Sequence, residues 1–202
     1  TKVPWMVETF LDPNGDIHAA TGERVLGVKR ADQTAQIRTR AKTLNFGIAY
    51  GATGETVEEQ IITFALRYPE LEIKIAGLAE CNEMVKKFWR EAPEAVEWKN
   101  AVIEIARERG YSETLYGRPR YLPHLRASNQ SMRSHAERQA VNHVIQGTAA
   151  DIIKMAALLV YEDAPKHHAD LRDQVHDELM GRFIGAREAG DKWLQIVQRN
   201  ML

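Results

Sequence analysis

One segment of this chain alternates clearly between apolar and polar residues, and it comes late. From Leu171 to Phe183 strand formers recur with period two, and the run turns at His176-Asp177. Almost everything before it carries the 3.6-residue periodicity of helices. Asp16 can cap a helix over 17–26, and 31–50 reads as one long helix stopped by Gly51 and Gly54. Further helices are predicted over 56–66, 71–89, 93–109 and 131–161, with Gly147 as a possible break in the last. Residues 111–122 read as short and extended, with a turn at Tyr116-Gly117-Arg118-Pro119. Helices, then a hairpin, then a final helix do not make a βαβ series, so a doubly wound parallel sheet is excluded. The predicted class is α+β, mostly helical.

Composition narrows the function classes. The 202 residues include 44% apolar and 27% charged side chains, with 27 Lys+Arg against 28 Asp+Glu, which suits a folded globular chain rather than a disordered one. Cys81 is the single cysteine, so an intrachain disulfide and a cysteine-built zinc site are both excluded, and a reducing compartment is expected. The longest apolar stretch, Ile152 to Tyr161, contains Lys154 and falls short of the roughly 20 residues that span a bilayer, so no membrane association is expected. The chain opens at Thr1 without Met and closes at Met201-Leu202 inside an amphipathic pattern, from which a piece of a longer chain is expected.

Charge is balanced globally and not locally. Residues 24–42 hold six basic side chains against Asp32 alone, and 107–138 hold seven arginines against Glu108, Glu113 and Glu137. Basic patches on a neutral chain suit a local polyanion contact, although solvated helix faces produce the same pattern.

Three constellations carry chemistry. Arg38, Lys42, Phe46 and Tyr50 recur every four residues and line one face of a helix over roughly 18 Å. Two cations followed by two aromatics match the layout of a nucleoside triphosphate: a forked guanidinium and an ammonium for the phosphates, flat rings for sugar and base. A basic amphipathic helix with two core aromatics has the same spacing. Arg138, Asn142 and Gln146 repeat the spacing on another helix. All three donate hydrogen bonds, and acceptors at minor-groove base edges are nearly sequence-independent, while a solvent-facing polar stripe is the alternative. His176-Asp177-Glu178 sets two adjacent carboxylates in a tight turn. A divalent cation relieves their repulsion, and Mg²⁺ needs only one or two carboxylates, though an ordinary acidic turn looks alike in isolation. Val175, Leu179 and Phe183 are expected to root this hairpin in the fold. Asp12, Asn14, Asp16 and Glu23 mimic a calcium loop, but Ile17 stands where that loop needs glycine.

Arg38-x3-Lys42-x3-Phe46-x3-Tyr50-Gly51, within RTRAKTLNFGIAYG, closely resembles the fingers-helix motif of family A DNA polymerases, the bacterial DNA polymerase I type. Asp16-Ile17-His18 resembles the same family, as do ETLYGRPRYLP at 113–123, ERQAVNHVIQGTAADIIK at 137–154 and QVHDEL at 174–179, in the expected order. The resemblance implies a partial right-hand polymerase fold, with fingers over 1–130 and part of the palm over 131–202. It implies DNA-directed DNA synthesis on a primer-template with deoxynucleoside triphosphates and two Mg²⁺ ions, by a cytoplasmic monomer of a bacterial cell or phage-infected host. By this resemblance His18, Arg38, Lys42, Phe46 and Tyr50 bind the nucleotide. Arg138, Asn142, Gln146 and His176 contact DNA. Asp177 binds metal, with Glu178 second, and Arg38 and Lys42 join both in catalysis.

The sequence also departs from the family pattern. The family's other metal-binding aspartate belongs to a DYSxxELR-like motif upstream of Asp-Ile-His, and residues 1–11 contain no Asp. The chain alone is therefore expected not to polymerise. Residues 61–91 match the family poorly and look like an insertion or lineage-specific helix. An inactive nucleic-acid-binding module and a purely structural helical domain are the alternatives.

Overall fold

The computed structural model describes residues 3–49, 51–167, 169–176, 178–183 and 187–201, with side chains at 48–49, 166–167, 187–189 and 201 set aside. The chain forms two compact units, one of residues 1–111 and 122–142, the other of 112–121 and 143–202. The expected fingers–palm boundary at 130/131 falls within the first unit.

The first unit is helical: α1 (Pro4–Leu11), α2 (Ile17–Arg24), α3 (Ala35–Ala49), α4 (Gly54–Arg67), α5 (Leu78–Glu91), α6 (Pro93–Arg109) and α7 (Gln130–Asn142). Its main core gathers Val25, Leu44, Val57, Ile61, Ile73, Cys81, Met84 and Phe88. Residues 61–91 thus supply much of the apolar interior around α3 and are integral to this unit. A second cluster joins α6 to α7 through Ala106, Leu122, Leu125, Ala136 and Ala140. Helix α1, which the sequence pattern does not reveal, is fixed by Trp5, whose indole donates to the Glu91 carbonyl at 2.8 Å.

Two helices start later than periodicity suggests, each because side chains capture the backbone. A 3₁₀ turn occupies Arg30–Asp32 and α3 begins at Ala35. Between them Gln33 donates to the carbonyls of Ala19 (2.8 Å) and Val28 (2.9 Å), which anchors the chain outside the helix. Helix α5 begins at Leu78 rather than near 71. Glu72 lies in the left-handed region at φ 46°, which ends the preceding 3₁₀ turn. Gln36 of α3 donates to the Glu72 carbonyl at 2.6 Å, and Arg40 of α3 donates to that of Lys74 at 2.6 Å. These carbonyls are satisfied without a helix, so the segment stays irregular.

The second unit holds two hairpins and two helices. Strands β1 (Tyr111–Glu113) and β2 (Pro119–Tyr121) form a small ribbon turned at Gly117, φ 80°. A π turn over His143–Gly147 leads into α8 (Thr148–Asp163). Arg118 ties the ribbon to this helix, donating to Asp151 at 2.6 Å and to the Gly147 carbonyl at 3.0 Å. Strands β3 (Ala169–Val175) and β4 (Glu178–Phe183) pair antiparallel, with a bulge between Leu171 and Asp173, and α9 (Arg187–Met201) packs on them. Trp193 and Ile196 of α9 meet Val160, Ala164 and Ala169, with Leu171 and Leu179 against the cluster. A Cβ at Gly181 would stand 2.2 Å from the Trp193 ring, so glycine admits the indole there. Stretch 130–163 contains an 18-residue window of mean hydropathy 1.4 and passes a length-and-composition test for crossing a bilayer. Within the second unit, however, Thr148 and Asp151 are hydrogen-bonded to the ribbon and Val160 lies in the core, the pattern of a packing helix.

Leu44 is fully buried at 0% exposure, on the inner side of α3. Leu44→Ala is expected to destabilise the first unit by about 3 kcal/mol, the cost of a core cavity, as read by urea unfolding.

Candidate functional site

Helix α3 divides its faces sharply. Ala41 and Leu44 are fully buried, whereas Arg38 and Lys42 are exposed and the Phe46 ring is 51% exposed. The core-aromatic alternative therefore fails at Phe46. Tyr50, the fourth member of the stripe, lies outside the described residues.

The N-terminus of α2 meets this exposed ridge. Asp16 caps α2 by accepting from the backbone N–H groups of His18 (2.9 Å) and Ala19 (3.2 Å), and the same carboxylate pairs with Arg38. Burial alone would raise its pKa, but the Arg38 hydrogen bond, the two N–H donors and the Arg38 charge together hold the carboxyl below its ordinary value. His18 faces Phe46 with ring centroids 5.8 Å apart and a 49° tilt, and the Lys42 ammonium lies 5.9 Å from the Phe46 centroid. Burial lowers the His18 pKa. Asp16 opposes that effect, and Arg38 and Lys42 reinforce it, so the imidazole is neutral near pH 7. His18, Arg38, Lys42 and Phe46 thus form one continuous strip of donors, positive charge and an open ring face. That strip suits a polyanion joined to a flat, partly apolar group.

Arg138, placed by the sequence in a different constellation, joins the far end of this strip. Its Cγ and Cδ lie 3.1 Å from where a Cβ on Gly51 would stand, and Gly51 has φ +79°, a backbone conformation that favours glycine. Phe46, Gly47, Gly51, Thr56, Gln60 and Arg138 line a pocket of about 250 Å³. Thr56 and Gln60 carry no signal in the linear sequence, because α4 brings them there only through packing.

The other expected residues fall out differently. Asn142 is partly buried, and its Oδ1 has no partner among the described residues. Gln146 sits inside the π turn, which interrupts the α repeat after Asn142, so a spacing of four no longer fixes a shared face. In the second unit, Val175 pairs with Glu178 at the end of the ribbon, and His176 follows Val175 in the turn. His176 has φ 55°, and Gln174 donates to its carbonyl at 3.0 Å. Glu178 is exposed, and Asp177 lies outside the described residues. Leu171 and Leu179 root the hairpin, and the Phe183 ring, though 39% exposed, lies 3.2 Å from where a Cβ on Gly190 of α9 would stand, whereas Val175, also expected to root it, is 43% exposed. Strand alternation explains Val175, because its neighbours across the turn are polar and the α9 cluster begins further down the ribbon. No group of three or more His, Cys, Asp or Glu gathers among the described residues. The tip carboxylates are nevertheless hard oxygen donors of the kind Mg²⁺ takes singly or in pairs, completing its shell with water.

Residues 1–202 match the profile of DNA polymerase family A. The chain is 35% identical to DNA polymerase I of Caldicellulosiruptor bescii over 190 residues, 93% of this chain and 21% of that protein. It is 35% identical to the thermostable DNA polymerase I of Thermus aquaticus over 165 residues, 82% of this chain and 18% of that protein. It is 36% identical to DNA polymerase I of Mycobacterium tuberculosis over 188 residues, 91% of this chain and 19% of that protein. Among solved structures, the POL domain of Pol1 from M. smegmatis, in complex with DNA primer-template and dNTP, superposes with a TM-score of 0.78 at 29% identity, covering 96% of this chain and 32% of that one. The chain thus spans about a fifth of the length of the curated relatives it matches.

The lowered Asp16 pKa means that its carboxylate adds stability in full above the ordinary value of 3.8, and that this stability drains away as pH falls through the lower folded value. Asn caps as well as Asp but carries no charge for Arg38. The stability difference between the parent and Asp16→Asn, followed by urea unfolding at stepped pH, is expected to shrink below pH 3.8. A constant difference would contradict the assignment.

Proposed function

The chain belongs to DNA polymerase family A, and from that premise we propose that it supplies the nucleotide-binding and part of the catalytic surface of a DNA-directed DNA polymerase. The observation that supports this most is the exposed strip of His18, Arg38, Lys42 and Phe46. In this proposal the primer 3′-hydroxyl attacks the α-phosphorus of a deoxynucleoside triphosphate. A new P–O bond forms as the bond to pyrophosphate breaks.

Arg38 and Lys42 neutralise the charge that accumulates on the departing pyrophosphate, an electrostatic contribution strongest where water is excluded. Arg38 exchanges part of its pairing with Asp16 for phosphate oxygens. His18 donates a hydrogen bond to the same anion. Phe46 lies against the sugar and Tyr50 against the nascent pair. Arg138, Asn142 and Gln146 follow the minor-groove edge of primer and template, and His176 lies near the primer end. Asp177, with Glu178 second, would hold Mg²⁺, which when bound stabilises charge on the entering and leaving oxygens. Residues 1–130 act as fingers and 131–202 as part of the palm of a cytoplasmic, monomeric enzyme. The second metal-binding aspartate of the family belongs to a motif that residues 1–11 do not contain.

Primer extension by the full-length protein tests this. Lys42→Ala is expected to lower kcat/KM for dNTP about 100-fold, the scale of one lost transition-state charge contact. Retained DNA binding with no extension in the parent would instead support an inactive nucleic-acid-binding module. Phe46 has no hydroxyl to substitute for a missing sugar 3′-OH, so Phe46→Tyr is expected to narrow the preference for deoxy- over dideoxynucleotides. Equal selectivity in parent and variant would contradict a place for Phe46 at the sugar.

A further inference from the structure

We propose that Asn45 is a positioning residue: it fixes His18 as the Nε2–H tautomer, so that the histidine meets the triphosphate as a neutral hydrogen-bond donor. The triphosphate half of this statement rests on the function proposed above. The tautomer half does not.

The placement of the Asn45 amide decides which way the imidazole proton lies. Asn45 stands on α3 between Lys42 and Phe46 and reaches toward α2. Its Nδ2 is 3.3 Å from the Ile17 carbonyl and 2.9 Å from His18 Nδ1, while its Oδ1 is 2.8 Å from the hydroxyl of Thr21, which is fully buried. A backbone carbonyl can only accept, so the amide nitrogen must be the end that faces Ile17. The reversed amide would set its oxygen 3.3 Å from the Ile17 carbonyl oxygen, two acceptors with no proton between them. With its nitrogen on this side, Asn45 donates to Nδ1. Nδ1 then presents its lone pair, and the ring proton resides on Nε2, which has no partner among the described residues.

The same contact disfavours the imidazolium, because a proton on Nδ1 would point at an N–H donor. The charged groups around the ring act in both directions: Asp16 favours the cation, while Arg38 and Lys42 oppose it. Phe46 bounds the ring on the α3 side at 5.8 Å. What remains available to a ligand is one N–H in a fixed direction. Positive charge is left to Arg38 and Lys42.

Two substitutions separate this role from packing. Asn45→Asp keeps the shape but can only accept, so it draws a proton onto Nδ1. Asn45→Leu keeps the volume and offers neither group. Histidine-selective ¹⁵N labelling of the full-length protein, with His18→Gln to assign the resonance, reads the tautomer directly from two-bond ¹H–¹⁵N couplings. The parent is expected to show a protonated Nε2 and a bare Nδ1, Asn45→Asp a protonated Nδ1, and Asn45→Leu an average of the two forms. A protonated Nδ1 in the parent, or an unchanged tautomer in Asn45→Leu, overturns the proposal, and the parent spectrum alone suffices if a variant fails to fold.

In primer extension, Asn45→Leu is expected to raise KM for dNTP about tenfold, the worth of one hydrogen bond, with a smaller change in kcat. It should add nothing to the loss already caused by His18→Gln. A normal KM in Asn45→Leu while Lys42→Ala remains defective overturns the proposal and leaves the polymerase reading standing. If Lys42→Ala is also normal, the polymerase reading itself fails, whatever the spectrum shows.

Discussion

The described residues of the first unit depend on how α3 is oriented about its own axis. Ala41 and Leu44 face the interior, and Leu44 clusters with what α4 and α5 bring: Val57, Ile61, Cys81, Met84 and Phe88. Turning that face inward leaves Arg38, Lys42 and Phe46 facing out. The hydrophobic effect therefore aims the polar ridge, with no need for the ridge residues to hold themselves in place. Gln36 and Arg40 add a second restraint by taking the carbonyls of Glu72 and Lys74. That is why residues 61–91 are part of the device that presents the ridge.

Helix α2 supplies the complementary half. Asp16 caps its own helix and pairs with Arg38, so one carboxylate settles both the start of α2 and the position of a cation on α3. Thr21, Asn45 and Ile17 continue the seam inward. The groups of the exposed ridge are held from behind by partly buried polar contacts, which keep their donors directed without filling the space in front of them.

Much of this was legible in the sequence because it depends on local spacing. The i, i+4 recurrence of Arg38, Lys42 and Phe46 is a one-dimensional pattern, and an α-helix converts it to a face without help from the rest of the chain. The Asp16 cap and the hairpin expected over 171–183 are local for the same reason. The failures are all long-range. Nothing near Gln33 or Glu72 in sequence says that Ala19 or Gln36 will claim the backbone there. The π turn at His143–Gly147 breaks a periodicity that the letters continue. Thr56, Gln60 and the approach of Arg138 to Gly51 arise only when α4 and α7 are packed against the end of α3.

The Trp193 ring under Gly181 gives the second hairpin the mechanics of a cantilever. The ribbon is clamped at its root, where the indole lies flush against bare backbone, and its far end runs on beyond the clamp to Val175, which is 43% exposed. A beam held this way transmits any displacement at the fulcrum to its free end with amplification. Where the described end of the ribbon lies is therefore set several residues away, by the absence of a single carbon atom.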